Sequence, residues 1–517
     1  MSEVLLGQSY YLRFDPKLWE AMQPYPPLGT MYAASVLRER GHDVALFDAM
    51  LAESERGWAE AVDRERPRFA VLFEDNFNYL SKMCLLRMRE AALTMIDIAR
   101  RRGSTVIVGG SDASDHAEEY IARGADFVTL GEGEITLAEV MARLTGRTAT
   151  PLEEILGLAF RDTNGGARVV RTPPRGVLAD LDALPFPAWD LVDVPRYRAI
   201  WLQRHGYFSM NMATTRGCPY HCNWCAKPIW GQRYHARSPE NVVAELKWLK
   251  QTYHPDHISF ADDILGLKPG WVQRFAEVAE RENARVPFKS LHRVDLLLKG
   301  DTIPALAKAG AKTVWVGAES GSQKILDAMD KGTRVEQIHE AAQRLHEAGV
   351  EVCFFLQFGY PGETREDIEK TLQMVRECAP DDIGMSVSYP LPGTRFFESV
   401  RNQLGAKQNW QDSSDLAMLY RGPFPTGFYR QLHTVLHKEF RARKAARALR
   451  KAVRRPLRFG RRHLRDAAAM TYNVLTLPLA RARLERLARA PHDGVGPLPH
   501  MVPAEAARPS AQSEGEQ

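Results

Sequence analysis

Short apolar runs alternate with amphipathic stretches through the first 150 residues of the chain. "EVLL", "DVALF", "FAVLF", "TVIVGG" and "DFVTLGEGE" predict five strands, several rich in β-branched residues. Between them, stretches such as 30–40 and 85–102 carry apolar residues at helical spacing. Continuous apolar strands joined by helices predict a parallel, doubly wound α/β sheet.

Five such strands suit a flavodoxin-like (Rossmann-like) order over residues 1–150, with ligands at the strands' carboxyl ends. Glycine-rich turns follow the last two strands: Gly109 and Gly110 in "GGSDAS", and Gly131, Glu132 and Gly133 in "GEGE". Glycine there lets backbone approach a bulky ligand. Residues 151–205 are proline-rich and weakly periodic, which predicts a connector docked on a surface rather than a core. A second βα series occupies 206–428, with candidate strands "NMATT", "HISFADD", "PFKSLHR", "KTVWVGAES", "EVCFFLQFGY" and "DIGMSVSY". Six βα units predict a partial (β/α)6 barrel, and chemistry belongs at the carboxyl ends of its strands. Residues 429–490 predict a basic helical region broken at Pro456. The polar 491–517 predicts a disordered tail.

Composition narrows the setting. With 44% apolar and 26% charged residues among 517, the chain reads as a multidomain globular protein. No basic leader with a long apolar run opens it, and six cysteines are too sparse for a secreted disulfide scaffold. A cytoplasmic setting is expected. The net charge of +5 hides a division: 438–465 holds 13 Lys/Arg against one acid. Removing that local excess of 12 from the net charge leaves the rest of the chain near −7. The body therefore gives no electrostatic ground for binding nucleic acid.

"TTRGCPYHCNWCAKP" places Cys218, Cys222 and Cys225 in a C-x3-C-x2-C spacing. A structural zinc knuckle with His221 fits this poorly, because Cys84, Cys353 and Cys378 supply no second pair. Three thiolates on a loop after a strand can instead hold three corners of a [4Fe–4S] cubane. The fourth iron is then open, as catalytic metal sites keep a vacant position.

The motif, with Trp224 at the aromatic position, resembles the signature of the radical S-adenosylmethionine (SAM) superfamily. The resemblance implies that SAM chelates the open iron and is cleaved by one electron to a 5′-deoxyadenosyl radical. It also implies SAM contacts from Trp224, from Asp262 or Asp263 in "FADD", and from Glu319 and Ser320 in "GAESGS". A reducing partner such as a flavodoxin or ferredoxin would supply the electron.

A doubly wound domain ahead of such a barrel resembles the cobalamin-binding (B12-dependent) radical SAM proteins. "YPPLGTMYAASVLRERGHDVALFDA" is similar to their segment between the first two strands. It implies cobalamin contacts at Pro27, Leu28, Gly29 and Thr30, with further contacts at Gly109, Gly110, Gly131, Glu132 and Gly133. The turn after the first strand, "GQSYYLRFDPK", has no histidine, and His116 follows the fourth strand instead. Cobalamin without a protein histidine as axial ligand is therefore expected; the contrasting expectation is a domain that has lost the corrinoid. Family chemistry implies methylation of an unactivated carbon in a small-molecule or lipid substrate. The alternatives are radical cyclisation or hydroxylation without methyl transfer, and a non-catalytic corrinoid and iron–sulfur sensor.

Candidates for the substrate site are His292 and Arg293 on the third barrel strand, Gln357 on the fifth and Tyr389 on the sixth. The basic region admits three readings: a solvated helix packed on the barrel, a nucleic-acid or acidic-protein contact, and a peripheral contact with the inner membrane face. In the last, Leu449, Val453, Leu457 and Phe459 would be the apolar contacts.

Overall fold

The computed structural model describes residues 2–83, 85–162, 168–225, 229–405, 407–453 and 461–491. Cys84, Pro456, Leu457, Phe459 and the tail from 492 lie outside the described residues, as does the side chain of Val453.

The N-terminal sheet contains β1 (Val4–Gly7), β2 (Val44–Phe47), β3 (Phe69–Phe73), β4 (Thr105–Gly109) and β5 (Phe127–Thr129), parallel in the order β2-β1-β3-β4-β5. Alternation along the strands sends Leu5, Ala70, Leu72, Val106 and Val108 to one face, packed with Trp58 and Met95. Val4, Leu6, Phe69, Val71 and Ile107 go to the other, packed with Ala33, Leu37 and Met141. Each strand is thus apolar throughout because helices cover both faces.

The 151–205 segment is more than a connector. It adds β6 (Leu158–Arg161) and β7 (Val169–Arg171), antiparallel, to the β5 edge. Both are very short, and their pairing covers an edge that would otherwise expose unpaired backbone.

The second sheet has six parallel strands in the order β15-β14-β13-β12-β11-β8, an open half-barrel. They are β8 (Ser209–Met212), β11 (His257–Phe260), β12 (Phe288–His292), β13 (Ala311–Glu319), β14 (Glu351–Phe358) and β15 (Asp382–Val387). Between β8 and β11, a two-residue antiparallel ladder joins β9 (Thr215–Arg216) and β10 (His235–Ala236). The core under the barrel helices runs without a break into Leu28, Met31, Tyr32, Phe77 and Met83 of the N-terminal domain. The two domains share one apolar interior.

Two long helices, Thr426–Val453 and Arg461–Leu487, pack on each other. They are tied to the barrel by Arg376, which donates to Glu439 at 2.6 Å. No described helix is long and apolar enough to cross a membrane.

Candidate functional site

The β9–β10 ladder closes a loop that carries Cys218, Cys222 and Cys225, all partly exposed. Its entry is set by Gly217 at φ +80°, where a Cβ would stand 2.1 Å from the Arg233 carbonyl oxygen. Only glycine satisfies both constraints. Asn223, between the second and third cysteines, pins the loop from below. Its amide donates to Ala328 O at 2.7 Å, its backbone N–H to Met329 O at 3.0 Å, and its Oδ1 accepts from Tyr360 at 2.8 Å.

Cations gather beside the thiols. Arg293 lies over the Tyr220 ring at 3.6 Å, with Nη1 3.8 Å from Cys222 Sγ. Lys331 is buried and donates to Glu319 at 2.8 Å. Burial works against its charge, but Glu319 and the Cys222 sulfur outweigh that and raise its pKa. Soft thiolates with adjacent positive charge are the donor set an anionic iron–sulfur cluster requires. Glu319 itself sits at φ +57°, next to the register shift between Gly317 and Glu319 in β13. A bulky residue held left-handed at a strand's carboxyl end marks stored strain at a site.

The two aspartates of "FADD" separate. Asp262 is buried, accepting from Thr214 N at 2.6 Å, Thr214 Oγ1 at 2.7 Å and Thr215 N at 2.8 Å. Burial raises its pKa to about 6. Its oxygens are committed to the strand leading to the cysteines. Asp263 is the more accessible and pairs with Lys82 of the N-terminal domain at 2.8 Å. Ser320 is likewise committed, bonding Thr371 at 3.1 Å and accepting from Ser322 N. Trp224 packs beside Ile325, Met329, Tyr360 and Phe396.

His292 turns away from the barrel mouth. It pairs in register with Val316 on the helix-covered side, bonds Ser290 at 2.9 Å, and burial lowers its pKa to about 3. Gln357 shares the inner side with Phe355, two residues away on the strand, and donates to Ser388 at 3.0 Å. Tyr389 is buried and donates to Met83 O at 3.2 Å, linking the sixth strand to the N-terminal domain. The inner face instead presents Trp315 stacked on Phe355 with centroids 4.5 Å apart, Phe355 being 39% exposed. The period-2 alternation of "TVWVG" was the signal for that shelf.

The N-terminal sheet turns its carboxyl edge toward this loop. Gly29 N–H donates to Asp75 at 3.0 Å and Thr30 Oγ1 to Phe73 O at 2.6 Å, which fixes the Pro27–Leu28 turn against the end of β3. A Cβ at Gly110 would meet Glu74 at 2.6 Å, and one at Gly133 would meet Phe73 at 2.8 Å. Gly109 is equally tight against Thr129, and Gly131 N–H donates to Ser114 at 3.1 Å. Along this edge the oxygens Ser9 Oγ, Asn76 Oδ1, Ser81 Oγ and Thr129 Oγ1 are buried without a hydrogen-bond partner among the described residues. Such orphans fit a ligand rich in amides, as the side chains around the corrin ring of cobalamin are. His116 is engaged elsewhere, by Arg89 and Asp112. Arg216 joins the edge to the cysteine loop: it donates to Glu132 at 2.5 Å and Glu134 at 2.8 Å.

The radical SAM superfamily pattern matches residues 212–375 and the B12 binding domain pattern matches residues 19–141, together more than half of the chain. The chain is a cobalamin-binding radical SAM protein. An uncharacterised methyltransferase of Pyrococcus horikoshii is 29% identical over 393 residues, 75% of this chain and 81% of that one. The anaerobic magnesium-protoporphyrin IX monomethyl ester cyclase of Synechocystis is 25% identical over 382 residues, 72% of each chain. The solved cobalamin-dependent SAM radical enzyme OxsB shares the fold at TM-score 0.69 and 16% identity, covering 94% of this chain and 72% of that one. As a radical SAM protein with a B12 domain, this chain takes a [4Fe–4S] cluster, SAM and cobalamin as cofactors.

Proposed function

We propose that this radical SAM protein is a methyltransferase acting on an unactivated carbon of a small molecule or lipid, with Cys218, Cys222 and Cys225 holding the cluster. The observation that carries this reading is the Arg216 bridge. It sets the three-cysteine loop directly against the glycine-lined edge that matches the B12 domain. When bound, the cluster and SAM supply one-electron cleavage of a sulfonium, and cobalamin supplies a carrier for a methyl group.

The chain's own residues orient and shield. Asn223 and Asp262 hold the cysteine loop, while Lys331 and Arg293 offset thiolate charge. Asp263 and Trp224 are the groups at the loop's rim to meet SAM, with Glu319 buried behind them on Lys331. Gly29, Gly110 and Gly133 keep the sheet edge low for a flat macrocycle, with Pro27, Leu28, Thr30, Gly109, Gly131 and Glu132 forming its surround. Trp315 and Phe355 offer an apolar shelf to substrate, with Gln357 beside it. Phe77, Trp230 and Tyr32 pack round Arg216 and exclude water from the junction. A soluble one-electron reductant, flavodoxin or ferredoxin in type, is the expected partner.

Anaerobic reconstitution with reductant and methyl-deuterated SAM tests the reading. Release of 5′-deoxyadenosine together with S-adenosylhomocysteine, and label in the product, supports methyl transfer. The P. horikoshii relative's methyltransferase name favours this outcome. The cyclase relative favours a second reading, oxidation without methyl transfer, in which 5′-deoxyadenosine appears and the label stays out of product. A sensor would release neither. Replacing the three cysteines with alanine must abolish both the four-iron spectrum and cleavage.

A further inference from the structure

We propose that the outer face of the helix Arg461–Leu487 docks on an anionic lipid surface. The helix is apolar on two opposite sides. Asn473, Ala480 and Leu484 are buried against the preceding helix and barrel, with Leu477 and Leu487 beside them. Half a turn away, Leu464, Ala468, Tyr472, Leu475, Leu479 and Ala482 follow one another at spacings of four and three, one continuous stripe. Leu464 is 61% exposed, Tyr472 62%, Leu475 71% and Leu479 75%. A helix packed into a core needs only one apolar side, so the second asks for its own partner.

The rim identifies that partner. Residues 438–490 hold 17 Lys/Arg against three acids. Glu439 is buried among Arg376, Arg443 and Arg481, and Glu485 pairs with Arg365. Arg441, Arg465, Arg483 and Arg486 are exposed. Lys438 lies 4.4 Å over the Tyr472 ring and donates to Thr476 at 2.8 Å, placing a cation at the stripe's flank. A second copy of the chain would oppose its own cationic rim. Nucleic acid would meet the cations but leave the leucines in water. Anionic headgroups over acyl chains satisfy both. The face differs from the one composition suggested: Leu449, on the preceding helix, is partly buried.

The test uses the full chain, anaerobically purified, with vesicles of phosphatidylcholine or of phosphatidylcholine and phosphatidylglycerol. Binding to the anionic vesicles is expected, weaker by about tenfold or more on phosphatidylcholine alone and for Leu475→Asp/Leu479→Asp. Unchanged thermal melting of the variant, whose sites face solvent, separates lost docking from lost folding; Leu475→Gln/Leu479→Gln serves should the first melt early. Three results overturn the proposal: no vesicle binding by the wild type, equal binding by a folded variant, or a dimer in sedimentation that the variant dissolves. The readout needs no turnover, so its failure leaves the proposed reaction standing.

Discussion

Arg216 Nη2 and Glu134 Oε1 stand 2.8 Å apart, one just ahead of the cysteine loop and the other at the end of the N-terminal sheet. Both side chains are about 95% buried, and Glu132 reaches the same guanidinium. Burial works against the Arg216 charge, and the two carboxylates outweigh it. The rings of Tyr32, Phe77 and Trp230 lie within 6 Å of the guanidinium. A planar cation between two carboxylates fixes orientation as well as distance, which a reaction shared between two domains requires.

Arg216→Met should strand two buried carboxylates at that junction. Breaking a buried pair from one side costs about 3–5 kcal/mol. The urea midpoint followed by tryptophan fluorescence should fall accordingly, with Trp230 reporting locally. Arg216→Met combined with Glu132→Gln and Glu134→Gln should recover part of the loss. No recovery would mean the carboxylates are not the source of the cost.

Gly217→Ala and Gly231→Ala form a matched comparison within one loop. Both glycines have positive φ, +80° and +61°. Of the two, the added Cβ collides with backbone at Gly217, 2.1 Å from the Arg233 oxygen; at Gly231 it meets nothing within 4 Å among the described residues. The φ penalty alone is about 1 kcal/mol, whereas the collision forces the loop to move. Reconstituted Gly217→Ala should hold less than about half the wild-type iron, and Gly231→Ala nearly all of it. Equal iron contents would show that the cysteines tolerate a displaced entry.

The parallel strands were legible because burial on both faces writes them as unbroken apolar runs, and "FAVLF" coincides with β3. The cysteines were legible as spacing. β6 and β7 were not, since "LAFR" and "VVR" are short runs whose pairing depends on a sheet edge formed elsewhere. Asn223 gave no signal, because its partners are 105 or more residues away. His292 was misplaced by a rule about strand ends that ignores which side the last residue faces. The register with Val316 decides that, and it exists only in the folded sheet.

Glu363, in "YPGET", should make stability depend on pH in an unusual direction. Burial raises its pKa from 4.5 to about 8, against a hydrogen bond from Gly359 N–H at 2.7 Å. The folded state therefore binds the proton more tightly than the unfolded chain. Its contribution is fully present below pH 4.5 and is lost as pH rises through about 8. Glu363→Gln keeps an oxygen for Gly359 and cannot ionise. It should match wild type near pH 4 and exceed it by about 2 kcal/mol at pH 8.5, a conservative fraction of the full linkage. Parallel unfolding curves at both pH values would refute the assignment.

Asp262 and Asp263 should part company under substitution. Asp262 Oδ1 accepts both backbone N–H groups of Thr214 and Thr215, and Oδ2 accepts the Thr214 hydroxyl. An asparagine in the same pose keeps the first oxygen, and its amide donates to the hydroxyl, which rotates to accept. Asp262→Asn should therefore retain iron and cleave SAM within about twofold of wild type, while Asp262→Ala, leaving buried donors unmet, should lose ~1–3 kcal/mol. Asp263→Asn removes a rim carboxylate whose partner among the described residues is Lys82. It should raise the SAM concentration needed for half-maximal 5′-deoxyadenosine release by about tenfold, the effect of losing one charge-assisted hydrogen bond. The reverse pattern, with Asp262→Asn inert and Asp263→Asn unaffected, would assign the cofactor contact to Asp262 and leave the Thr214 turn as its consequence.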